Sequence, residues 1–467
     1  MTRIYTLAFI LLLSITSMAS DTLFVQNISR ILESIPASSK YGVMIFNPAK
    51  EETLFVKDIQ LPVVPASNVK LFTTGVALSM LGGDYKLSTR VFCDDINTSD
   101  GIINGNVYIK GFGNSMFTDS DMDSLAAALY RLGIRKITGS VIGDDSYFDS
   151  VYHRKDWIIE ELSSVPLPPV SAMVINRNRL TLNINATGGS VRSSMYPDCS
   201  LIDVVVNVSK SRKRNSTLRV SQVCDGDEYK FIVSGSLGRR GSSRSYSFEI
   251  DNPPLFAAYL LQDRLNRLGI SVGKHPKAGI MPETVTYLLS ERSIALKNLI
   301  RVINKNSDNF LAECLFKTIG AVYSESQGNA FYATQAVLTF LKSNGIYSEG
   351  TALVDGSGIS HFNQVTVAAV VDLLDKVYYD HLIFNDYYSS LSVAGVDGTL
   401  RGRLYGTHAQ NNLHGKTGTL HGVTALSGYV KSKSGDDLIV SMIFEYKSGY
   451  VGLYKSVQDR IIKELTE

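Results

Sequence analysis

The sequence has almost no excess charge of either sign. Its 467 residues include 46 lysines and arginines and 44 aspartates and glutamates. A nucleic-acid-binding protein usually carries a marked basic excess, so we expect no nucleic-acid partner. The seven histidines form no H-E-x-x-H motif and no other cluster with metal-ligand spacing, so we also expect no metal site.

Long apolar runs are scarce as well. The strongest, residues 4–15, is shorter than the roughly 20 residues that a membrane-spanning helix needs. Arg3 precedes it, and small residues around Ala19 follow it, which is typical of a secretory signal peptide. We predict a signal peptide over residues 1–19 and an exported mature protein without a stable transmembrane anchor.

The length predicts two or three domains. Residues 41–56 have the pattern of a β-hairpin, and the chain ends with another hairpin and a helix, which favours one α/β unit built from both termini. Many short strand-like runs fill the interval between. We therefore predict a discontinuous domain over 20–88 and 281–467, interrupted by a β-rich insertion over 89–280 with two subdomains.

Cysteine is scarce, with four residues in all. Cys199 and Cys224 flank two strand-like runs joined by a polar segment, so a hairpin there would bring the two side chains opposite each other. A disulfide and two buried thiols are both compatible with this pattern, and we take the disulfide as the prediction to test. The basic residues 210–214 are interpreted as a solvated hairpin tip rather than as a site for an anionic cell-wall polymer.

Ser67 and Lys70 stand three residues apart at the start of an apolar, helix-like run, residues 66–80. Residues at i and i+3 share one face of a helix, which brings the two side chains within reach. The same spacing recurs at Ser271 and Lys274, but an intervening glycine there favours a turn or strand. Alone, the pair also fits the polar first turn of a buried helix.

Two more short motifs follow in the chain. Ser307-Asp308-Asn309 occurs where a polar loop enters a helix-like run. Lysine, threonine or serine, and glycine occur in that order at 416–418, 433–435 and 447–449. The first of these leads along a strand-like run into the C-terminal hairpin. S-x-x-K, S-D-N and K-T-G in this order are the signature of penicillin-binding proteins and class A β-lactamases.

The chemistry of a serine ester explains these residue types. Ser67 is the predicted nucleophile and Lys70 the base, provided that burial and Lys416 keep its amine neutral. Ser307 would relay a proton to the leaving amine, and Asn309 would hold the substrate backbone.

The third motif would bind the other end of the substrate. Lys416 and Thr417 offer a cation and a hydroxyl group to a terminal carboxylate. The backbone N–H groups of Ser67 and Thr419 would form an oxyanion hole. Gly418 and His421 complete the predicted rim of the cleft.

Longer stretches resemble one family, the penicillin-binding protein 4 type D-alanyl-D-alanine carboxypeptidases/endopeptidases, the class C low-molecular-mass group (peptidase family S13). They are PASNVKLFTTGVAL, GDDSYF, PPVSAMVINRN, NKNSDNFLAECL, DGSGIS, VAGVDGTLRGRL and GKTGTLHGVTALSGYV. The long interval between Lys70 and Ser307 is similar to the insertion of this family, which class A β-lactamases lack. The E-x-x-L-N stretch of those β-lactamases is also missing.

The resemblance implies an α/β (α+β) penicillin-recognising serine hydrolase, with a transpeptidase-like antiparallel sheet flanked by helices. It also implies a periplasmic enzyme that removes terminal D-alanine from peptidoglycan stem peptides or cuts D-alanyl cross-links. Such an enzyme is acylated by β-lactams and uses no cofactor. A β-lactamase-like hydrolase and a non-catalytic peptidoglycan-binding protein are the alternatives.

The resemblance also implies substrate-binding residues outside the three motifs. Asp144, in GDDSYF with Phe148, matches an aspartate that recognises the diamino-acid end of the stem peptide. His361 stands after DGSGIS, where the family has an arginine, so the substrate preference of the family does not carry over to this position.

Overall fold

The computed structural model describes residues 23–97, 100–158, 167–187, 190–225, 228–240, 242–285, 287–346, 349–447 and 449–467. The predicted signal peptide, residues 1–19, and Ser448 of the last Lys-Thr/Ser-Gly sequence lie outside these ranges. Within them, no helix has the length and hydrophobicity to cross a membrane.

In chain order, the strands are β1 (Lys40–Asn47), β2 (Glu52–Lys57), β3 (Lys86–Cys93), β4 (Ile96–Asn97), β5 (Ile102–Ile103), β6 (Val107–Phe112), β7 (Lys136–Ile137), β8 (Val141–Asp144), β9 (Arg179–Thr187), β10 (Ser190–Tyr196), β11 (Ile202–Lys210), β12 (Thr217–Asp225), β13 (Glu228–Leu237), β14 (Ser242–Glu249), β15 (Ser271–Val272), β16 (Lys277–Ala278), β17 (Tyr287–Ala295), β18 (Ser392–Val393), β19 (His414–Leu420), β20 (Val423–Lys431) and β21 (Asp437–Glu445). The helices are α1 (23–32), α2 (Val69–Leu81), α3 (Asp119–Arg131), α4 (Lys155–Ile158), α5 (Pro253–Arg267), α6 (Leu296–Asn306), α7 (Asn309–Ser324), α8 (Ala330–Ser343), α9 (Val367–Tyr379), α10 (Phe384–Ser390) and α11 (Val451–Thr466).

The chain forms two compact units. Unit 1 contains the described residues up to Tyr85 together with Ala295–Tyr323 and Ala330–Glu467. Unit 2 contains Lys86–Ile294 and Ser324–Asn329. All residues of the three sequence motifs therefore belong to unit 1.

Unit 1 is built on a six-stranded sheet in the order β18-β19-β20-β21-β1-β2, in which all neighbouring strands are antiparallel. The predicted hairpins at both ends of the chain are confirmed as β1–β2 and β20–β21. They join in the middle of the sheet, where Lys40 of β1 lies opposite Glu445 of β21. The sheet thus connects the two ends of the chain.

Helices cover both faces of this sheet. On one face, α1 and α11 pack through buried apolar residues such as Ile28 and Ile461, in a cluster that includes Phe444 of β21. On the other face α9 lies so close that a Cβ atom on Gly42 would be 3.0 Å from both γ-carbons of Val367. Helix α2 is buried from Val69 to Leu78, as expected of a helix in a domain interior.

Unit 2 is rich in strands. It contains a five-stranded sheet, β16-β8-β6-β3-β17, a four-stranded sheet, β15-β7-β5-β4, and two three-stranded sheets, β10-β9-β14 and β11-β13-β12. Helices α3 and α5 share its main apolar core, where Leu125 and Leu261 are fully buried.

The hairpin predicted between Cys199 and Cys224 is wrong. Strands β11 and β12 do not pair with each other, because β13 lies between them, parallel to β11 and antiparallel to β12. Cys199 is a buried free thiol, and burial raises its pKa. The predicted Cys199–Cys224 disulfide is therefore not formed.

Candidate active site

Ser67 lies in a tight turn that leads into α2. This turn is a 3-10 helix, Ala66–Asn68, and Ala66 has a φ of 48°, in the left-handed region that non-glycine residues seldom adopt. Two glycines allow other segments to approach it. A Cβ atom on Gly358 would lie 2.0 Å from the Ala66 carbonyl oxygen, and one on Gly418 would lie 2.9 Å from the Pro65 carbonyl oxygen. The turn is therefore enclosed from two sides.

Lys70 is fully buried beside Ser67. Its Nζ donates hydrogen bonds to Ser67 Oγ at 3.0 Å, to Asn309 Oδ1 at 2.7 Å and to the Ser357 carbonyl oxygen at 2.5 Å. Burial lowers the pKa of Lys70 to about 8, although the negative charges of Asp355, Glu313 and Asp308 act in the opposite direction. Three hydrogen bonds therefore fix the position of the Lys70 amine, and its lowered pKa makes it easier to deprotonate than an ordinary lysine.

A loop over residues 355–360 holds one of the three acceptors of Lys70. Glu313 of α7 is buried, and its Oε1 accepts hydrogen bonds from the backbone N–H groups of Gly356 and Ser357 at 3.1 and 2.8 Å. Asp355, also buried, accepts from the N–H groups of Gly358 and Ser360. These two carboxylates fix the loop, and with it the Ser357 carbonyl group that faces Lys70.

Ser307 and Lys416 form a second pair. Ser307 ends α6 with a left-handed backbone, φ 54° and ψ 42°, and its Oγ accepts a 2.9 Å hydrogen bond from Lys416 Nζ. Lys416 is fully buried, and its other acceptor is the Thr417 carbonyl oxygen at 2.7 Å. Burial and the neighbouring Lys70 lower the pKa of Lys416 well below the usual value for lysine. In the part of the chain that the structure describes, Lys416 has no carboxylate partner.

Strand β19 presents the rest of the third motif. Thr417 Oγ1 donates to Thr399 Oγ1 at 2.7 Å, Thr419 is exposed, and His421 is exposed in the turn after the strand. Strand β18 pairs with β19 only at His414 and Gly415. Beyond that point, no other described strand covers the outer edge of β19.

The residues assigned from the family resemblance are divided between the two units. His361 is half-buried in unit 1, directly after the loop that holds Lys70. Asp144 and Phe148 belong to unit 2, where both are buried. The Asp144 carboxylate forms an ion pair with Lys110 at 3.0 Å and accepts hydrogen bonds from the N–H groups of Ser146 and Met281. In this structure its oxygens are thus used inside unit 2.

The sequence motifs do not identify the residues that hold the catalytic side chains and their loops in place. Glu313, Asp355 and Thr399 lie in stretches that carried the family resemblance, but none was singled out. A buried carboxylate that binds backbone N–H groups leaves no characteristic spacing in a sequence. The only available signal was a charged residue in an apolar helix, which Glu313 provides in NFLAECLF.

Several known proteins are similar to this chain in sequence and in fold. The model of the D-Ala-D-Ala carboxypeptidase 3 (S13) family matches residues 24–459. A D-alanyl-D-alanine carboxypeptidase from an Actinomadura strain is 30% identical, over 95% of this chain and 84% of its own length. The D-alanyl-D-alanine carboxypeptidase DacB of Haemophilus influenzae is 27% identical, over 91% of this chain and 89% of its own. The crystal structure of penicillin-binding protein 4 from the same organism has a TM-score of 0.75 at 26% identity, covering 93% of this chain and 98% of that one.

The fold and the site define a penicillin-recognising serine hydrolase whose sheet is antiparallel and flanked by helices. The chain belongs to the D-Ala-D-Ala carboxypeptidase 3 (S13) family, which confirms the prediction from the longer stretches that resemble this family, and it is a carboxypeptidase of that family.

Proposed function

We propose that the protein hydrolyses D-alanyl-D-alanine bonds of peptidoglycan stem peptides and cross-links through an acyl-enzyme on Ser67. The observation that carries this proposal is the position of Lys70. Its Nζ lies 3.0 Å from Ser67 Oγ, fully buried, and with a pKa lowered to about 8. A lysine with such a pKa accepts a proton from a serine near neutral pH, as a general base must.

The acylation step follows from these contacts. Ser67 Oγ attacks the carbonyl carbon of the penultimate D-alanine while its proton passes to the neutral Nζ of Lys70. The peptide C–N bond then breaks, and Ser307 relays a proton to the nitrogen of the departing D-alanine. Water cleaves the resulting ester in the reverse sequence of proton transfers, which restores Ser67. The backbone N–H groups of Ser67 and Thr419 serve as the oxyanion hole.

Lys416 gives the preference for a carboxyl terminus. A buried ammonium group without a carboxylate is costly, and a substrate carboxylate supplies the missing charge. Binding of the substrate carboxylate raises the proton affinity of Lys416 and keeps Lys416 charged, while the neighbouring Lys70 stays neutral. Thr417 and Thr399 add hydroxyl groups at the same place. Asn309 offers its N–H groups to the substrate backbone, because its Oδ1 is occupied by Lys70.

The same machinery accounts for β-lactam inhibition. A β-lactam presents an amide carbonyl and a carboxylate in the arrangement of the D-alanyl-D-alanine terminus. The penicillin-binding protein 4 of H. influenzae, to which this chain is similar, has been crystallised in complex with a β-lactam. We propose that penicillins acylate Ser67 and that the protein works in the periplasm, where the predicted export would place it.

Mass spectrometry of purified muropeptides before and after incubation tests this function. Loss of one D-alanine from pentapeptide stems, or cleavage of cross-linked dimers, is expected from the wild type and from Ser271→Ala. Neither product is expected from Ser67→Ala, which should also fail to bind labelled penicillin. Labelling of Ser67→Ala at the wild-type level would refute the assignment. A penicilloyl adduct that turns over within seconds would favour the β-lactamase alternative instead.

A further inference from the structure

One end of the β11-β13-β12 sheet in unit 2 is strongly basic. The sequence has no acidic residue between Asp203 and Asp225, and none between Glu228 and Glu249. These two segments nevertheless hold many lysines and arginines, in a chain whose net charge is only +2. Positive charge is therefore concentrated here, and an excess of negative charge in the rest of the chain offsets it.

The topology of the sheet brings the basic residues of the two segments together. Because β11 and β13 are parallel, Lys210 at the end of β11 lies opposite Leu237 at the end of β13. The loops that follow these two strands bind each other through their backbones. The N–H of Arg239 donates to the Lys213 carbonyl oxygen at 3.0 Å, and that of Arg240 donates to the Arg214 carbonyl oxygen at 2.9 Å.

We call this pair of loops the cationic tip, and its six basic residues are Lys210, Arg212, Lys213, Arg214, Arg239 and Arg240. All six are exposed, and none forms an ion pair with another described residue. At the other end of the sheet, in contrast, Lys230 faces Asp203 at 3.8 Å. Clustered like charges repel one another, so the tip is more stable when an anionic partner neutralises it.

We propose that the cationic tip binds the phosphate groups of an anionic phospholipid bilayer. The two loops are about one strand spacing apart, roughly 4.8 Å. All six cations can therefore lie within about 10 Å, one Debye length, of the same flat anionic surface. Clusters of four to eight lysines and arginines beside a transmembrane helix or on an amphipathic helix bind anionic lipids through the same attraction between charges.

The geometry favours a bilayer over a single-stranded nucleic acid. Proteins that bind single-stranded nucleic acids usually track them along a positively charged groove with aromatic side chains on which the bases stack. The cationic tip has no aromatic residue, and it is formed by loop ends rather than by a groove. Binding at the tip does not depend on the proposed reaction of Ser67, because all six residues belong to unit 2.

Vesicle sedimentation with the full-length mature protein tests the proposal. Vesicles of phosphatidylcholine with one part in three of phosphatidylglycerol are compared with pure phosphatidylcholine, over a range of NaCl concentrations. The test variant is K213Q/R214Q/R239Q/R240Q. The matched control, K86Q/R131Q/K277Q/K376Q, removes the same number of exposed charges from scattered positions.

Each basic residue near an anionic surface is worth about a fivefold change in partitioning. The wild type and the control should therefore bind the anionic vesicles, and the test variant should bind them at least 100-fold more weakly. Added salt should release the bound protein. The unfolding midpoint measured by Trp157 fluorescence should be the same for the test variant as for the wild type, which shows that unit 2, to which the tip belongs, is folded.

Three results would overturn the proposal. The first is equal vesicle binding by the test variant and the wild type. The second is an equal loss in the control, which would assign binding to net charge and not to the tip. The third is binding of soluble polyphosphate without binding of anionic vesicles, which would identify a polymer as the partner.

Discussion

At the scale of single residues, the protonation of Lys70 should set the pH dependence of acylation. Only the neutral amine accepts the Ser67 proton, and burial lowers the pKa of Lys70 to about 8. The acylation rate should therefore rise with pH and level off above this value. The second-order rate constant for penicillin, measured from pH 6 to pH 10, would reveal the curve. A rate that is flat across this range would contradict the role of Lys70 as base.

Glu313 offers a sharper test of the same lysine. Glu313→Gln keeps an oxygen that can accept from the Gly356 and Ser357 N–H groups but removes a negative charge that raises the pKa of Lys70. The rising limb of the pH profile should move to lower pH, by up to about one unit. Glu33→Gln, at an exposed position, is the control and should not move it.

The two roles of Glu313 can be separated by a second variant. Glu313→Leu also leaves two buried N–H groups without their acceptor, which costs about 1–3 kcal/mol for each group. It should lower stability and acylation together, at every pH. If Glu313→Gln has the pH profile of the wild type, Glu313 has no electrostatic effect on Lys70.

The side chain at position 361 should affect substrate preference. Arginine holds a carboxylate with two parallel hydrogen bonds at any ordinary pH. If position 361 faces the free carboxylate of a meso-diaminopimelate stem, His361→Arg should lower KM for that peptide. A lysine-type stem lacks the carboxylate and serves as the control. An equal KM of the wild type and His361→Arg for the meso-diaminopimelate peptide would end the hypothesis.

How far the sequence predicts the site depends on the kind of residue. Ser67, Lys70, Ser307 and Lys416 belong to short motifs. The structure places Lys70 within hydrogen-bonding distance of Ser67, and Lys416 within hydrogen-bonding distance of Ser307. Asp355 acts by binding backbone N–H groups of its own loop, an arrangement that exists only after folding.

At the scale of elements, the contact between the Ser67 turn and the 355–360 loop should require glycine at 358. Gly358 has a φ of 81°, and its Cβ would lie 2.0 Å from the Ala66 carbonyl oxygen. Gly82 also has a positive φ, 75°, but a Cβ there would meet nothing within 4 Å. Alanine substitutions at the two positions therefore distinguish the effect of backbone strain alone from the effect of strain combined with a steric clash.

The backbone of Gly82, with φ 75° and ψ 155°, lies in a region that is essentially restricted to glycine, so Gly82→Ala should cost about 1–3 kcal/mol of unfolding free energy. Gly358→Ala also places a side chain at a positive φ, 81°, and in addition displaces the Ser67 turn, so it should lose penicillin acylation as well. Urea denaturation and the acylation rate of both variants provide the measurement. Wild-type acylation by Gly358→Ala would show that the loop can move away without affecting Ser67.

The elements that the sequence predicted well are those whose partners follow directly in the chain. The hairpins β1–β2 and β20–β21 each pair across a short turn. The run before residues 210–214 and the run after them looked like a third hairpin, since consecutive strands pair in about two-thirds of cases. Here β13 takes the place between them, and no local signal in either run reveals a third strand.

At the scale of the whole molecule, unit 1 depends on pairing between the two ends of the chain. Strand β1 lies between β2 and β21, and the residues that separate β1 from β21 include all of unit 2. Unit 2, in contrast, is almost continuous in sequence and has its own apolar core. Two such units are expected to unfold as separate cooperative transitions.

The single tryptophan makes this last expectation testable. Trp157 is buried in unit 2, whereas Ser67 is in unit 1, so intrinsic tryptophan fluorescence reports on one unit and a penicilloyl adduct modifies the other. The penicilloyl group stays attached to Ser67 in the unfolded chain, but it makes its noncovalent contacts only in the folded site, so these contacts stabilise the folded state. Acylation by penicillin should therefore raise the midpoint of one calorimetric transition and leave the fluorescence midpoint of Trp157 unchanged. Ser67→Ala, treated in the same way, should show neither shift. An equal rise of both midpoints in the wild type would show instead that the two units unfold as one, and that the adduct on Ser67 stabilises the entire chain.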